Sequence, residues 1–345
     1  MKYFLLLTSF YFCFQGNSQE TKKVLFIGNS YTYVNDLPNM IKQIALSLGD
    51  NILHDSSTPG GYTFQAHSIY GPTLSKINAQ DWDYVILQAQ SQEPAFDPAQ
   101  VAVDTYPYAD SLVQDILAND SCSRIMFYMT WGRKNGDAAN CPFYPVICTY
   151  EGMQYRLRQS YLEMAQNNNA EVSPVGVTWR TIRQTDTTIE LYQPDQSHPS
   201  LAGTYVAACT FYCSIFHKPL TGAYIPTGLD SLDAIFIQQT AQSTVFDSLA
   251  TWLIDTTNTT CFFSGINDVN KNNKVTIYPN PFNSHINFSE AITGKISISD
   301  LTGRVIYNSM LINCKSLELT NLFPGIYFLS MEINNVVSTY EIIHR

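Results

Sequence analysis

Hydrophobic residues fall along this chain in two rhythms. Up to about residue 255, short continuous apolar runs alternate with longer stretches of helical spacing; beyond residue 275 the helical spacing disappears and apolar positions recur every second residue. The runs VLFI at 24–27, DYVIL at 83–87, RIMFYMT at 124–130 and EVSPVGV at 171–177 predict strands covered on both faces. Pro174 places the last of them near an edge or a strand start. Between these runs, residues 37–48 put Met40, Ile41, Ile44, Ala45 and Leu48 on one side of a helix that Gly49 ends. Further helices are predicted over 101–118, over 149–168 with Met153, Leu157, Tyr161 and Met164 on one face, and over the apolar stretch 204–216; residues 229–255 add more helical material. Strand and helix in alternation predict an α/β fold with a doubly wound, parallel sheet, in which 24–27 is the first and central strand.

The second rhythm predicts a different unit. KISISD, RVIYNS, KSLELT and GIYFLSMEI read as short strands broken at Gly303 and at Pro324–Gly325, which makes 275–345 a small antiparallel β-sandwich. Residues 257–274, rich in Asn, Thr, Asp and Lys, read as a linker, which leaves 19–256 as the α/β domain. Residues 1–18 have one early lysine, an apolar run and small residues at Gly16 and Ser18, the pattern of a secretory signal peptide cut before Gln19. No other stretch is long and apolar enough to span a membrane, so an exported protein without a transmembrane segment is expected.

Chemistry concentrates where strands give way to turns. In GNSY, after the first strand, Gly28 tolerates any backbone angle and Ser30 presents a hydroxyl at the sheet's carboxyl edge. Far down the chain, QPDQSHPSLAG places Asp195 three residues ahead of His198, with Pro199 suited to the first turn of the following helix and His198 at its mouth. Asp195 can fold back to accept from one imidazole nitrogen, leaving the other to take a proton from a serine hydroxyl. Gln88, Gln90, Ser91 and Gln92 should line the crevice at the end of the second predicted strand, and Trp131 and Arg133, just past the third, offer an aromatic and a guanidinium to a substrate. Gly60 and Gly61 mark a sharp bend or a close approach. His67 is expected to be a surface or helix-face residue more often than a ligand.

The order of the Gly-Asn-Ser-Tyr block, the Gly60–Gly61 turn, the polar cluster from Gln88 to Glu93 and the Asp-x-x-His pair resembles the SGNH (GDSL-like) hydrolase superfamily over about residues 22–218. The resemblance implies a flavodoxin-like fold and a serine esterase, often of acetylated carbohydrates, with Ser30 as nucleophile, His198 as base and Asp195 as its orienting carboxylate. It also implies an oxyanion hole built from the amide of Ser30 and that of Gly61, or less readily Gly60. Two departures stand out: Asn29 occupies the place of an aspartate, and a Gly-x-Asn-Asp block is replaced so that Gln90 falls at the glycine and Gln92 at the asparagine. A glutamine amide can donate to an oxyanion one methylene further out, so Gln92, or else Gln90, takes that role. YPNPF at 278–282, DLTG at 300–303 and LFPGIY at 322–327 resemble the C-terminal sorting domain of type IX secretion clients, which implies export across the outer membrane of a Gram-negative bacterium to the cell surface or beyond.

Composition narrows the partners. A net charge of −10 over 345 residues, with no basic cluster, argues against nucleic acid and against anionic membrane. The spacing of Cys and His offers no metal pattern, so no metal and no cofactor are expected. Cys141 and Cys148 are spaced for a small disulfide ring that would restrain their loop by about 2 to 3 kcal/mol, while Cys209 and Cys213, one helical turn apart, read as buried apolar residues. The expected partners are a small-molecule or carbohydrate ester and the type IX machinery; the competing readings are a non-catalytic binding protein and a lipase or thioesterase on the same scaffold.

Overall fold

The computed structural model describes residues 20–255, 275–300, 304–320, 322–333 and 336–345. The signal peptide at 1–18 and the linker at 257–274 predicted above lie outside them. The chain divides into two compact units, one up to Asn258 and one from Thr259.

In chain order the first unit contains β1 (Thr21–Ile27), α1 (Ser30–Tyr33), α2 (Leu37–Ser47), β2 (Asn51–Ser57), α3 (Phe64–Ser68), α4 (Gly71–Ile77), β3 (Tyr84–Leu87), α5 (Pro98–Asp104), α6 (Tyr106–Asn119) and β4 (Arg124–Tyr128). It continues with α7 (Tyr150–Asn167), β5 (Glu171–Ser173), α8 (Val175–Thr185), α9 (Leu201–Phe216) and α10 (Ser231–Phe246). The strands form one sheet in the order β2-β1-β3-β4-β5, every pair parallel. From β1 the chain runs first to β2 on one side and then to β3 on the other. That reversal opens a crevice beyond the carboxyl end of β1, where Ser30 stands.

The apolar runs are buried for the reason the pattern implied: all four residues of β3 are inaccessible, as are the last four of β1. Helix α9 is apolar all round and has Ala202 through Phe216 buried, packed by α2, α8 and α10, with Phe211 meeting Phe26 of β1 edge to face at 6.2 Å.

Several elements differ from expectation, each for a local reason. EVSPVGV is strand only to Ser173; Pro174 then caps α8, whose Gly176 lies so close to the Thr130 carbonyl that a Cβ would sit 2.1 Å away. The stretch 101–118 is two helices broken at Thr105, because Pro107 has no amide hydrogen to give and settles in the first turn of α6. Strand β2 was hidden by its composition, since NILHDSS lies at the sheet edge and needs few apolar residues. The last predicted helix starts at Leu201, not Pro199. Ser200 caps it by accepting from Gly203 N at 3.1 Å, and Pro199 instead bridges to Tyr192, so His198 sits two residues before the cap rather than at the helix mouth.

The named strands of the second unit all pair antiparallel: β6 (Ile277–Tyr278), β7 (His285–Ser299), β8 (Val305–Glu318), β9 (Gly325–Ile333) and β10 (Val336–His344). The order is β10-β9-β7-β6, with β8 also on β7. Alternate residues Ile286, Phe288, Ile296, Ile298, Leu329 and Met331 fill its own core. RVIYNS and KSLELT, expected as two strands, are one long strand paired to a β7 whose register shifts let it bend.

Candidate active site

Three side chains from distant parts of the sequence meet at the carboxyl end of β1. His198 Nε2 lies 2.8 Å from Ser30 Oγ. On the far side of the ring, Nδ1 faces Asp195 Oδ2. A carboxylate can only accept, so Nδ1 carries the proton and Nε2 offers its lone pair to the serine hydroxyl. Burial by itself would raise the Asp195 carboxyl, but hydrogen bonds from the His198 ring and from the backbone amides of Ser197 and His198 outweigh it and hold the group below the usual carboxylate range.

Ser30 is placed by the turn that carries it. Asn29 caps α1, accepting from Tyr31 N at 3.2 Å, and its amide donates to Tyr62 O at 3.1 Å. An aspartate could make the first bond and not the second. Gln88 holds the turn from below: its Oε1 accepts from Asn29 N and from Thr32 Oγ1, both at 2.9 Å, and its Nε2 donates to Asn29 Oδ1 at 2.9 Å. Gly28 is required by this packing rather than by its backbone angle, since a Cβ there would lie 2.6 Å from Gln88 Oε1 and 2.7 Å from Thr32 Oγ1. From the other side, His67 Nε2 donates to the Gly28 carbonyl at 2.8 Å, and its Nδ1 accepts from Thr73 Oγ1 at 2.8 Å. The ring is fully buried, which pushes its pKa down, the Gly28 bond opposing only in part.

Two residues expected to touch substrate do not. Gln88 is 0% exposed with both ends of its amide engaged in the turn. Trp131 is also 0% exposed: its ring lies parallel to Tyr31 at 4.6 Å and to Trp179 at 3.9 Å, and its Nε1 donates to Ser197 O at 3.0 Å. A polar run at a strand end and an aromatic past one looked the same in sequence whether they faced the crevice or the core.

The other candidates stay near the surface. Gln90 Oε1 accepts from Gln92 N at 2.7 Å and Glu93 N at 3.2 Å, while Gln92 Nε2 donates to Asp137 Oδ2 at 2.6 Å. Arg133, about a third exposed, is 3.7 Å from Asp137 Oδ1. Asp137 is fully buried; burial would raise its carboxyl, but bonds from Asn140 and Gln92 and the Arg133 charge pull it below the usual range. This aspartate, which ties the loop after β3 to the loop after β4, had no sequence signal. Gly61 is the third residue of a tight turn closed by Tyr62 N to Pro59 O at 3.3 Å, and its φ of +72° is the left-handed value that such a turn asks of a glycine. The Tyr62 carbonyl bond fastens this turn to Asn29. The loop between β4 and α7 is closed by the Cys141–Cys148 disulfide, and Cys209 and Cys213 are buried thiols. Among the described residues no group of His, Cys, Asp or Glu gathers as a metal site, and no helix is long and apolar enough to cross a membrane.

Comparison with known proteins divides the chain the same way. Residues 276–345 match the model of the secretion system C-terminal sorting domain. Comparison with curated proteins yields no match. Among solved structures, a DUF4886 family protein from Bacteroides uniformis superposes with a TM-score of 0.55 at 18% identity, over 66% of this chain and 96% of that one. A putative SGNH hydrolase from Slackia heliotrinireducens gives 0.47 at 23% identity, over 56% and 98%. A catalytic mutant of an acetylxylan esterase from Geobacillus stearothermophilus gives 0.42 at 15%, over 60% and 99%. The chain thus joins an α/β unit whose fold is similar to that of the DUF4886 family protein to a C-terminal segment that matches a secretion-system sorting domain.

Proposed function

We propose that the first unit is a serine ester hydrolase that removes acetyl or other short acyl groups from carbohydrate or small ester substrates. The observation that carries this reading is the 2.8 Å contact between Ser30 Oγ and His198 Nε2, with Asp195 behind the ring. Ser30 Oγ attacks the ester carbonyl as its proton passes to His198 Nε2. Collapse of the tetrahedral intermediate breaks the bond to the alcohol, which takes the proton from the imidazolium. Water then repeats the sequence on the acyl-enzyme, returning Ser30 and releasing the acid.

The oxyanion would be met by backbone N–H groups of Ser30 and Gly61. Ser30 is the first residue of α1, so its N–H has no acceptor within the helix. Gln92 can add a side-chain donor, because its amide nitrogen carries two hydrogens and the Asp137 bond uses one. Arg133 is the remaining candidate for contact with the alcohol portion. The segment at 276–345 marks the protein for export, and delivery to the cell surface or medium by the type IX machinery of a Gram-negative bacterium belongs to the same proposal.

The test is hydrolysis of p-nitrophenyl acetate and of an acetylated xylo-oligosaccharide by the wild type and by Ser30→Ala, with fluorophosphonate labelling to locate the reactive serine. Ser30→Ala should lose about a thousandfold or more in kcat, and the label should sit on Ser30. Turnover undiminished by the substitution sinks the assignment. A wild type that shows only the background rate supports the binding-protein reading instead.

A further inference from the structure

We infer that Tyr31 and Trp131 are positioning residues for His198, acting through Ser197; this rests on the hydrolase reading above. Asp195 and His198 belong to an exposed loop in which, apart from the contact with Ser30, the hydrogen bonds of these two residues are local: Asp195 accepts from the amides just after it, and His198 O accepts from Gln193 N. Nothing within that loop fixes the imidazole relative to Ser30. Ser197, between the two, is only 7% exposed and is gripped from the interior at two points. Its Oγ is 2.7 Å from the Tyr31 hydroxyl, and its carbonyl accepts from Trp131 Nε1 at 3.0 Å.

The two gripping side chains are themselves one rigid stack. The rings of Tyr31 and Trp131 are parallel to within 2° at 4.6 Å, and those of Trp131 and Trp179 to within 3° at 3.9 Å. The stack therefore runs from the nucleophile's turn, past the end of β4, to α8. Tyr31 also meets the His198 ring edge to face at 5.6 Å. Since Tyr31 immediately follows Ser30, its hydroxyl fixes the base loop at a set distance from the backbone that carries the nucleophile. Gln196, held in the left-handed region at φ 61° by bonds from Lys134 N and Asn135 Nδ2, turns the chain so that Ser197 points inward while His198 points out. A contact that must be near 2.8 Å for proton transfer is sensitive to small displacements of that loop.

Tyr31→Phe keeps the ring and its stacking and removes only the hydroxyl, and Ser197→Ala removes the other half of the same bond. Steady-state hydrolysis of p-nitrophenyl acetate should show kcat reduced by on the order of tenfold to a hundredfold in Tyr31→Phe, with KM unchanged and fluorophosphonate labelling of Ser30 slowed in proportion. Ser197→Ala should do the same, and the double variant should be no slower than either single one, because both remove one interaction. Loss of this buried bond should lower the melting temperature modestly in both variants, with both still fully folded at the assay temperature, so that the fall in kcat is not a loss of folded enzyme. Turnover in Tyr31→Phe within twofold of wild type, or additive losses in the double variant, overturns the inference while His198→Ala remains inactive. If His198→Ala retains full turnover, the hydrolase reading itself fails, and this inference fails with it.

Discussion

Ser30 and His198 stand 2.8 Å apart, yet the turns that bear them are held in opposite ways. The Ser30 turn rests on neutral polar side chains with almost no access to water: Gln88 and His67 at 0% exposure and Asn29 at 2%. The His198 loop puts Asp195 and His198 into solvent, with side chains 47% and 32% exposed, and keeps Ser197 and Pro199 inside. A buried hydrogen bond that loses one partner strands the other without water, whereas an exposed pair is re-solvated at little cost. Damage to the first turn should therefore appear as lost stability, and damage to the second as lost turnover.

The sharpest separation comes from the base loop. Asp195→Asn should lower kcat by about 10²- to 10⁴-fold by removing the acceptor that selects the imidazole tautomer, with chemical denaturation nearly unchanged. A large drop in stability alongside it would erase the contrast. On the nucleophile side, Gln88→Glu replaces two donated hydrogen bonds, to Asn29 Oδ1 and Ala89 O, by a buried carboxylate facing acceptors. It should cost about 3 kcal/mol or more in denaturant titrations, a loss of several degrees in melting temperature. Gly28→Ala pushes a methyl into the space of Gln88 Oε1 and Thr32 Oγ1 and should cost about 1 to 3 kcal/mol, read in the same titration.

The smallest effect is a pH dependence. Burial lowers the pKa of His67, so the unfolded chain takes up a proton near pH 6.5 while the folded one still refuses it. Stability from this group is complete above that pH and is lost as the pH falls below it, because a protonated Nδ1 can no longer accept from Thr73. Glu93 acts in the opposite direction: burial, then the Asp104 charge, raises it to about 7, so its contribution grows as the pH falls from 7 toward 4.5. Comparing wild type with His67→Gln at pH 7.5 and 5.5 isolates the histidine, and the loss on acidification should be smaller in the variant. The Asp195 carboxyl, held low, keeps its partner through this range and loses it only in stronger acid.

Much of the arrangement was legible because it is written in local pattern. Continuous apolar runs require cover on both faces, so VLFI and YVIL could only be interior strands. Asp-x-x-His in a proline-bounded turn brings a carboxylate to an imidazole within one loop, and it does so here. The helix start was misread because Pro199 suits a first turn as well as it suits the bridge to Tyr192 that it makes. His67 gave the opposite lesson: a histidine expected outside is a fully buried support of the Gly28 carbonyl, and no neighbour in sequence signals that partner.

By itself the sequence determined a parallel α/β sheet followed by antiparallel strands and the residue types that stand at the end of β1, because periodicity and turn chemistry act over a few residues; the strand order, with β2 at an edge and β3 rather than β1 in the middle, came only with the fold. Only the tertiary structure decided which polar side chains face the crevice and which support it. Gln88 and Gln92 are alike in type and nearly adjacent, yet one lies beneath the nucleophile turn and the other reaches Asp137. That choice is made by partners 59 and 45 residues away, through buried hydrogen bonds that exist only once the sheet has closed over them.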